Sequence, residues 1–298
     1  MNIIGNKKKF ILLSIVVVAL SVFSILFFGF NLGIDFQSGS LWQIKIPNTT
    51  EADIRILLKD ELNVQNFSVS YDDLGGYYSI TLPKIDHEQK ISYFNAIKER
   101  FGEVEEVGFW MTSPTISEEL KNKAFLAIFL VLLVISLYVS FVFRKTYSVI
   151  SSYKYGIVTL VALGHDVIIA AGFFAVLAYF EGLVVDTNFV VALLIIMGFS
   201  VHDTIVVFDR IRENLLKYKN EPFSQIVNKS INETMRRSIN TSLTMFFVLL
   251  SIYVLGPKAM GYFALTILVG TTVGTYSSIF LASPLLVVWQ SLDFKKKK

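Results

Sequence analysis

The sequence predicts a helical membrane protein that crosses the bilayer six times, with one small α+β domain inserted after the first crossing. Three observations predict it. The 298 residues are 53% hydrophobic and only 17% charged, with a mean hydropathy of +0.57, and several apolar runs reach the ~20 residues that cross a ~30 Å hydrocarbon core. A single block, 31–123, breaks this pattern with 15 acidic and 9 basic residues, a net of −6. Basic residues in the short flanking segments gather on one side of the predicted spans.

The first run, Phe10 to Phe30, follows Lys7, Lys8 and Lys9. Its apolar core is too long for a cleaved signal, and no small-residue cleavage site follows, so residues 1–30 are read as an N-terminus and a retained first span. Within 31–123, Ser40 to Ile46 alternates like a strand. Thr50 and Asp53 form a capping box that opens a helix to about Leu62. Val64 to Tyr71 and Tyr77 to Leu82 read as strands around an Asp72–Gly76 turn. Asp86 and Gln89 cap a second helix to about Phe101, and Glu103 to Met111 reads as a fourth strand. The order βαββαβ is that of a ferredoxin-like domain. Its acidic balance suits the external face, where lysine and arginine are not required.

Five spans follow in 124–298: Ala124 to Phe143, Tyr155 to Phe180, Asn188 to about Phe208, Ile239 to Leu255, and Tyr262 to Trp289. Residues 209–237 read as a charged, amphipathic cytoplasmic loop. Arg144, Lys145 and the terminal Lys295 to Lys298 lie on that same side, with Lys258 as the exception; Lys121 and Lys123 are counted with the external domain. Both termini are therefore expected in the cytoplasm.

The spans carry ionisable groups where each charge costs roughly 2.5–3.5 kcal/mol on insertion scales. His165 and Asp166 lie about 15 Å along the third span at 1.5 Å per residue, near mid-membrane. His202 and Asp203 lie in the fourth, Asp203 about 9 Å above Asp209. Asp203 shares a helical face with Arg210, and Asp209 shares one with His202. Two roles stand for Asp203: a carrier of a proton or ion, or a static partner of Arg210 or Arg237. Asp166 is either a second carrier or a buried interhelical hydrogen-bond acceptor. His202 either titrates near neutrality or donates, neutral, to a threonine or carboxylate. Arg237 enters the fifth span beside Arg236 and either reaches into the bundle or snorkels. Gly270 and Gly274 make a G-x-x-x-G pair that lets another helix approach closely.

Five motifs in order, GIDFQSG (33–39), HDVIIAAG (165–172), HDTIVVFDRIREN (202–214), NETMRRSINTS (232–242) and GTYSS (274–278), resemble the SecD/SecF family of bacterial protein-export membrane proteins, on its SecF side, within the resistance-nodulation-division superfamily. The similarity spans nearly the whole chain. It implies an auxiliary translocon subunit that pairs with SecD, acts with the SecYEG channel and the SecA motor on exported unfolded polypeptide, and couples a proton or sodium gradient to movement of external domains. It carries the family's fourth-span aspartate onto Asp203, its fifth-span arginine onto Arg237, its aspartate and arginine before the cytoplasmic helix onto Asp209 and Arg210, and its aspartate after the first span onto Asp35. Two positions depart from the family: Gln37–Ser38–Gly39 alters the usual glycine pattern, and His202 replaces the asparagine common before the fourth-span aspartate.

Other classes remain beside this one. A superfamily half-transporter would export a lipid or small amphiphile, and a non-transducing scaffold would only stabilise a translocon. The chain lacks a phosphate-binding G-x-x-x-x-G-K-[ST] loop and a nucleophile pattern, so it is not expected to be an enzyme. With no cysteine and three histidines, no metal or other cofactor is expected. The expected location is the bacterial inner membrane, surrounded by membrane lipid, with no nucleic acid partner.

Overall fold

The structure, a computed structural model, describes all residues except 66, 73, 74, 147–149, 297 and 298. Lys297 and Lys298 of the predicted basic tail, and the centre of the Asp72–Gly76 turn, lie outside the described residues. Among the described residues, six helical segments are long and apolar enough to cross a membrane. They are α1 (Lys7–Phe28), α5 (Pro114–Val142), α6 (Ser152–Glu181), α7 (Thr187–Lys217), α8 (Phe223–Leu255), and a sixth segment built from α9 (Lys258–Ser277), a wide π turn (Ser278–Ala282) and α10 (Ser283–Lys296). The remaining helices, α2 (Ile34–Gln37), α3 (Glu51–Ile56) and α4 (His87–Phe101), fall between α1 and α5.

Burial sorts the spans. The most apolar stretches of α6, α7 and the sixth segment are 50%, 44% and 56% buried, against 11%, 6% and 11% for α1, α5 and α8. The first three form the centre, and the others leave flanks such as Leu26, Phe125 and Val254 open. Lipid is as apolar as these side chains, so such flanks cost nothing in a bilayer. Close approach of α1 to the centre depends on a position not singled out in sequence: a Cβ on Gly172 would lie 2.5 Å from Ser21 Cβ.

The α+β domain has strands β1 (Gly39–Lys45), β2 (Ser68–Asp72), β3 (Tyr77–Leu82) and β4 (Glu105–Thr112) in the order β2-β3-β1-β4. All neighbouring pairs are antiparallel. This is the ferredoxin-like arrangement. Alternation puts Trp42 and Ile44 of β1 and Ile80 and Leu82 of β3 on one face, packed on Ile54, Leu57, Leu58 and Ile97 from the helices. Both predicted capping boxes form: Thr50 with Asp53 on α3, and Asp86 with Gln89 on α4. The α3 helix passes into a π turn over Leu57–Glu61.

Two boundaries differ from the sequence reading. The domain was expected to run to residue 123 and the span to start at Ala124, but α5 begins at Pro114, with Ser113 as its cap. Lys121 and Lys123 therefore ride on the spanning helix, where Lys123 pairs with Glu119 at 2.6 Å. Hydropathy marks where a helix becomes apolar, not where it begins. Likewise 209–237 is not a loop. Helix α7 runs on to Lys217 and α8 starts at Phe223, because Phe208, Ile211 and Leu215 face Ile226, Val227 and Ile231 and zip the two extensions together.

Ile80 is fully buried in the domain core. Replacing it with alanine is expected to destabilise the domain by about 2–5 kcal/mol, read as an earlier tryptophan-fluorescence transition in the denaturant unfolding of the intact chain.

Candidate functional site

The central helices bring two carboxylates into the bundle interior. On α6, Asp166 is fully buried. It lies 2.8 Å from His165 Nδ1, and one of its oxygens accepts from Ser277 Oγ of α9 at 2.7 Å and from Ser200 Oγ of α7. Three helices thus meet at one carboxylate. His165 is 6% exposed, and its other ring nitrogen, Nε2, meets no hydrogen-bonding group among the described residues.

On α7, Asp203 is 1% exposed and accepts from Thr275 Oγ1 of α9 at 3.1 Å. Thr275 in turn meets Ser242 Oγ of α8, either hydroxyl serving as donor. Ser200 and Asp203 are one turn apart on α7, and Thr275 and Ser277 both lie in the last turn of α9, so the two carboxylates share both supporting helices. The π turn begins at Ser278, just past these hydroxyls. Such turns widen a helix locally and often mark functional segments.

The glycine pair explains the tightness. A Cβ on Gly270 would lie 2.3 Å from Ile196 Cδ1, and one on Gly274 would lie 2.8 Å from Ser200 Cβ. Only without those atoms can α9 come close enough to α7 for Ser200 and Ser277 to reach the same carboxylate oxygen.

The charged candidates lie elsewhere. Arg210 is held by Glu213 at 2.5 Å and Glu233 at 2.6 Å, and clips the extensions of α7 and α8 together. Asp209 pairs with Arg212 at 2.6 Å. Arg237 is exposed and makes no ion pair among the described residues, offering only its carbonyl to Thr241 Oγ1. The static pairing of Asp203 with Arg210 or Arg237 is therefore not present. The His202 side chain is 56% exposed, with Nδ1 3.8 Å from Asp203 and so beyond hydrogen-bond reach. Asp35 lies at the far end, where its carboxylate accepts from the N–H and hydroxyl of Thr187 at 3.0 and 2.7 Å. Beside it, burial pushes the Asp186 carboxyl above its usual value. Hydrogen bonds from Phe189 N–H and Asn188 oppose that shift, and repulsion from Asp35 adds to it.

Sequence reasoning placed Asp203 and Asp166 in the membrane but did not select Ser200, Ser277, Thr275 or His165 as their partners. Hydroxyls at GTYSS and a serine three residues before Asp203 were visible; which helix each would face was not.

Residues 93–292 match the family described as protein export membrane protein SecD/SecF, C-terminal, and residues 23–45 match the SecD/SecF GG motif. The chain belongs to this SecD/SecF family, and its role is that of a translocase subunit in protein export. Within the family it is similar along its length to SecF subunits. It is 41% identical to the protein translocase subunit SecF of Thermobaculum terrenum over 98% of this chain and 95% of that one. It is 33% identical to that of Anaerolinea thermophila over 99% and 96%. The crystal structure of SecDF, a translocon-associated membrane protein, from Thermus thermophilus matches with a TM-score of 0.85 at 31% identity, over 98% of this chain and 39% of that one. The chain thus corresponds to about two fifths of the SecDF chain.

Ser38, in the altered glycine pattern, has φ +62° and ψ 153°. That region is nearly reserved for glycine and costs other residues about 1–3 kcal/mol, against roughly 0.5–1 kcal/mol of extra chain entropy for glycine. Ser38→Gly is expected to stabilise the chain by about 1 kcal/mol, read as a higher thermal midpoint in detergent. Gly274→Leu is expected to lower that midpoint, at a cost of about 1–3 kcal/mol from overpacking against Ser200.

Proposed function

We propose that the chain is an auxiliary subunit of the Sec translocase in which an ion gradient, acting on Asp203 and Asp166, changes the packing of α6, α7 and α9 and so moves the α+β domain against exported polypeptide. One observation carries this reading. Two buried carboxylates are held by hydroxyls from neighbouring helices, with no lysine or arginine within ion-pair distance among the described residues. A bare carboxylate in such a place costs several kcal/mol unless it is neutralised or paired. Its occupancy by a proton or cation is therefore linked to the packing that holds it.

Hydroxyl partners suit a switch. They donate to an ionised carboxylate and rotate to accept from a protonated one. His165 has one nitrogen on Asp166 and one unengaged among the described residues. One charge crossing 100 mV supplies about 2.3 kcal/mol, enough to bias two packings of similar energy. No covalent chemistry is required.

In this reading the chain sits in the bacterial inner membrane with both termini cytoplasmic and the α+β domain outside. Its partners are SecD, the SecYEG channel and SecA, as the translocon association named for its SecDF relative suggests. Export of a lipid or amphiphile would call for an apolar tunnel in the domain, but the domain interior is filled by Trp42, Ile80 and their neighbours.

In inverted vesicles with SecA and ATP held constant, Asp203→Asn is expected to reduce gradient-stimulated precursor export to the level seen with the gradient collapsed, without loss of assembly. Varying proton and sodium gradients separately identifies the ion. Undiminished stimulation in the variant would remove Asp203 from the mechanism.

A further inference from the structure

Two stretches of chain connect the α+β domain to the bundle. The first, 31–37, lies along the α6–α7 connection. Val185 N–H donates to Asn31 O at 2.7 Å, and Gly33 N–H donates to Val185 O at 2.8 Å. Leu32 and Val185 pair as in a parallel sheet. Asp35 then receives the N–H and hydroxyl of Thr187, the first residue of α7. Ser117 of α5 donates to Ile34 O at 2.9 Å, tying in the second connection. The segment after the first span is thus fastened to the starts of both α7 and α5.

Beyond this clamp the backbone turns sharply. Ser38 has φ +62°, and Gly39 has φ +149°, with the place of its missing Cβ 2.5 Å from Leu82 O. Gly39 opens β1 and pairs with Thr112, the last residue of β4; only Ser113 separates Thr112 from α5. Both crossings between domain and bundle therefore lie side by side, at Ser38–Gly39 and at Ser113. Two adjacent crossings define an axis. Beside it, a cavity of about 290 Å³ separates the open face of the sheet, including Gln43, Ser79 and Thr81, from Glu181, Asp186 and Asn188 of the bundle.

We infer that Asp35 is a positioning residue that makes the 31–37 segment and the start of α7 one rigid body, and that the domain swings on Ser38–Gly39 and Ser113 to open and close the cavity. Helix α7 also carries Asp203, so a shift of that helix reaches β1 through the clamp. The purpose of the swing rests on the function proposed above; the clamp and hinge do not.

The chain has no native cysteine, which permits site-specific locking in membranes with the export partners present. Leu32→Cys with Val185→Cys, oxidised by copper–phenanthroline and oxygen, gives up two thiol hydrogens and forms one disulfide across the clamp. Ser79→Cys with Asn188→Cys, bridged by a bis-maleimide, joins the cavity walls. The clamp lock is expected to form fully and to retain at least half of the gradient stimulation of export; the cavity lock is expected to reduce it at least fivefold. Amide exchange at Val185 and Thr187 is expected to accelerate about tenfold in Asp35→Ala, with recovery in Asp35→Asn, which keeps an accepting oxygen. A clamp lock that abolishes stimulation until reduced, or a cavity lock without effect, would overturn the rigid-body and hinge assignment. If unlocked protein shows no gradient stimulation, the proposed function fails, and exchange still judges the clamp: unchanged exchange in Asp35→Ala would overturn it.

Discussion

Asp166 joins three helices through hydroxyls and a histidine instead of through a lysine or arginine. That choice constrains the rest of the bundle. A salt bridge would tolerate some separation because Coulomb attraction falls off slowly, whereas hydroxyl hydrogen bonds need heavy atoms within about 3 Å. The backbones must therefore come close, and the glycines at 270 and 274 supply the room. The small, polar character of the sixth span and the carboxylates of the third and fourth are parts of one requirement. The same hydroxyl support reaches Asp203 through Thr275, so a change at either carboxylate is felt on α9.

Much of this was legible because it follows from periodicity and local chemistry. The two capping boxes, the alternation of β1 and β3, and the βαββαβ order need only neighbours in sequence. Apolar runs similarly identify the six spans, since a bilayer imposes their minimum length. What failed was set by tertiary contact. The start of α5 at Pro114 depends on Ser113 and on packing against 31–37, neither of which changes hydropathy. The amphipathic character of 209–237 was legible, but its continuity with α7 and α8 was not, because it depends on the apolar contacts between the two extensions.

The site divided along the same line. Asp166 and Asp203 were conspicuous because carboxylates are costly in hydrocarbon. Their partners are serines and threonines, which are common in membrane helices and often satisfy their own i−4 carbonyls, as Thr204 and Thr234 do here. Sequence cannot say which of them turn outward to a neighbouring helix. Arg210 illustrates the converse: its spacing of seven from Asp203 on one helix suggested a partner, yet Arg210 finds Glu213 and Glu233 closer at hand.

The central claim is that the state of Asp203 is mechanically connected to the α+β domain through α7 and its fastened N-terminus. Spin labels at Ser70→Cys and Glu181→Cys, on opposite sides of the cavity, would report that connection directly as a distance distribution in sealed vesicles with and without an imposed ion gradient. The account predicts a gradient-dependent shift in the otherwise native chain and a single, gradient-insensitive distribution when Asp203→Asn is added. The same shift in both proteins, or none in either, would contradict it.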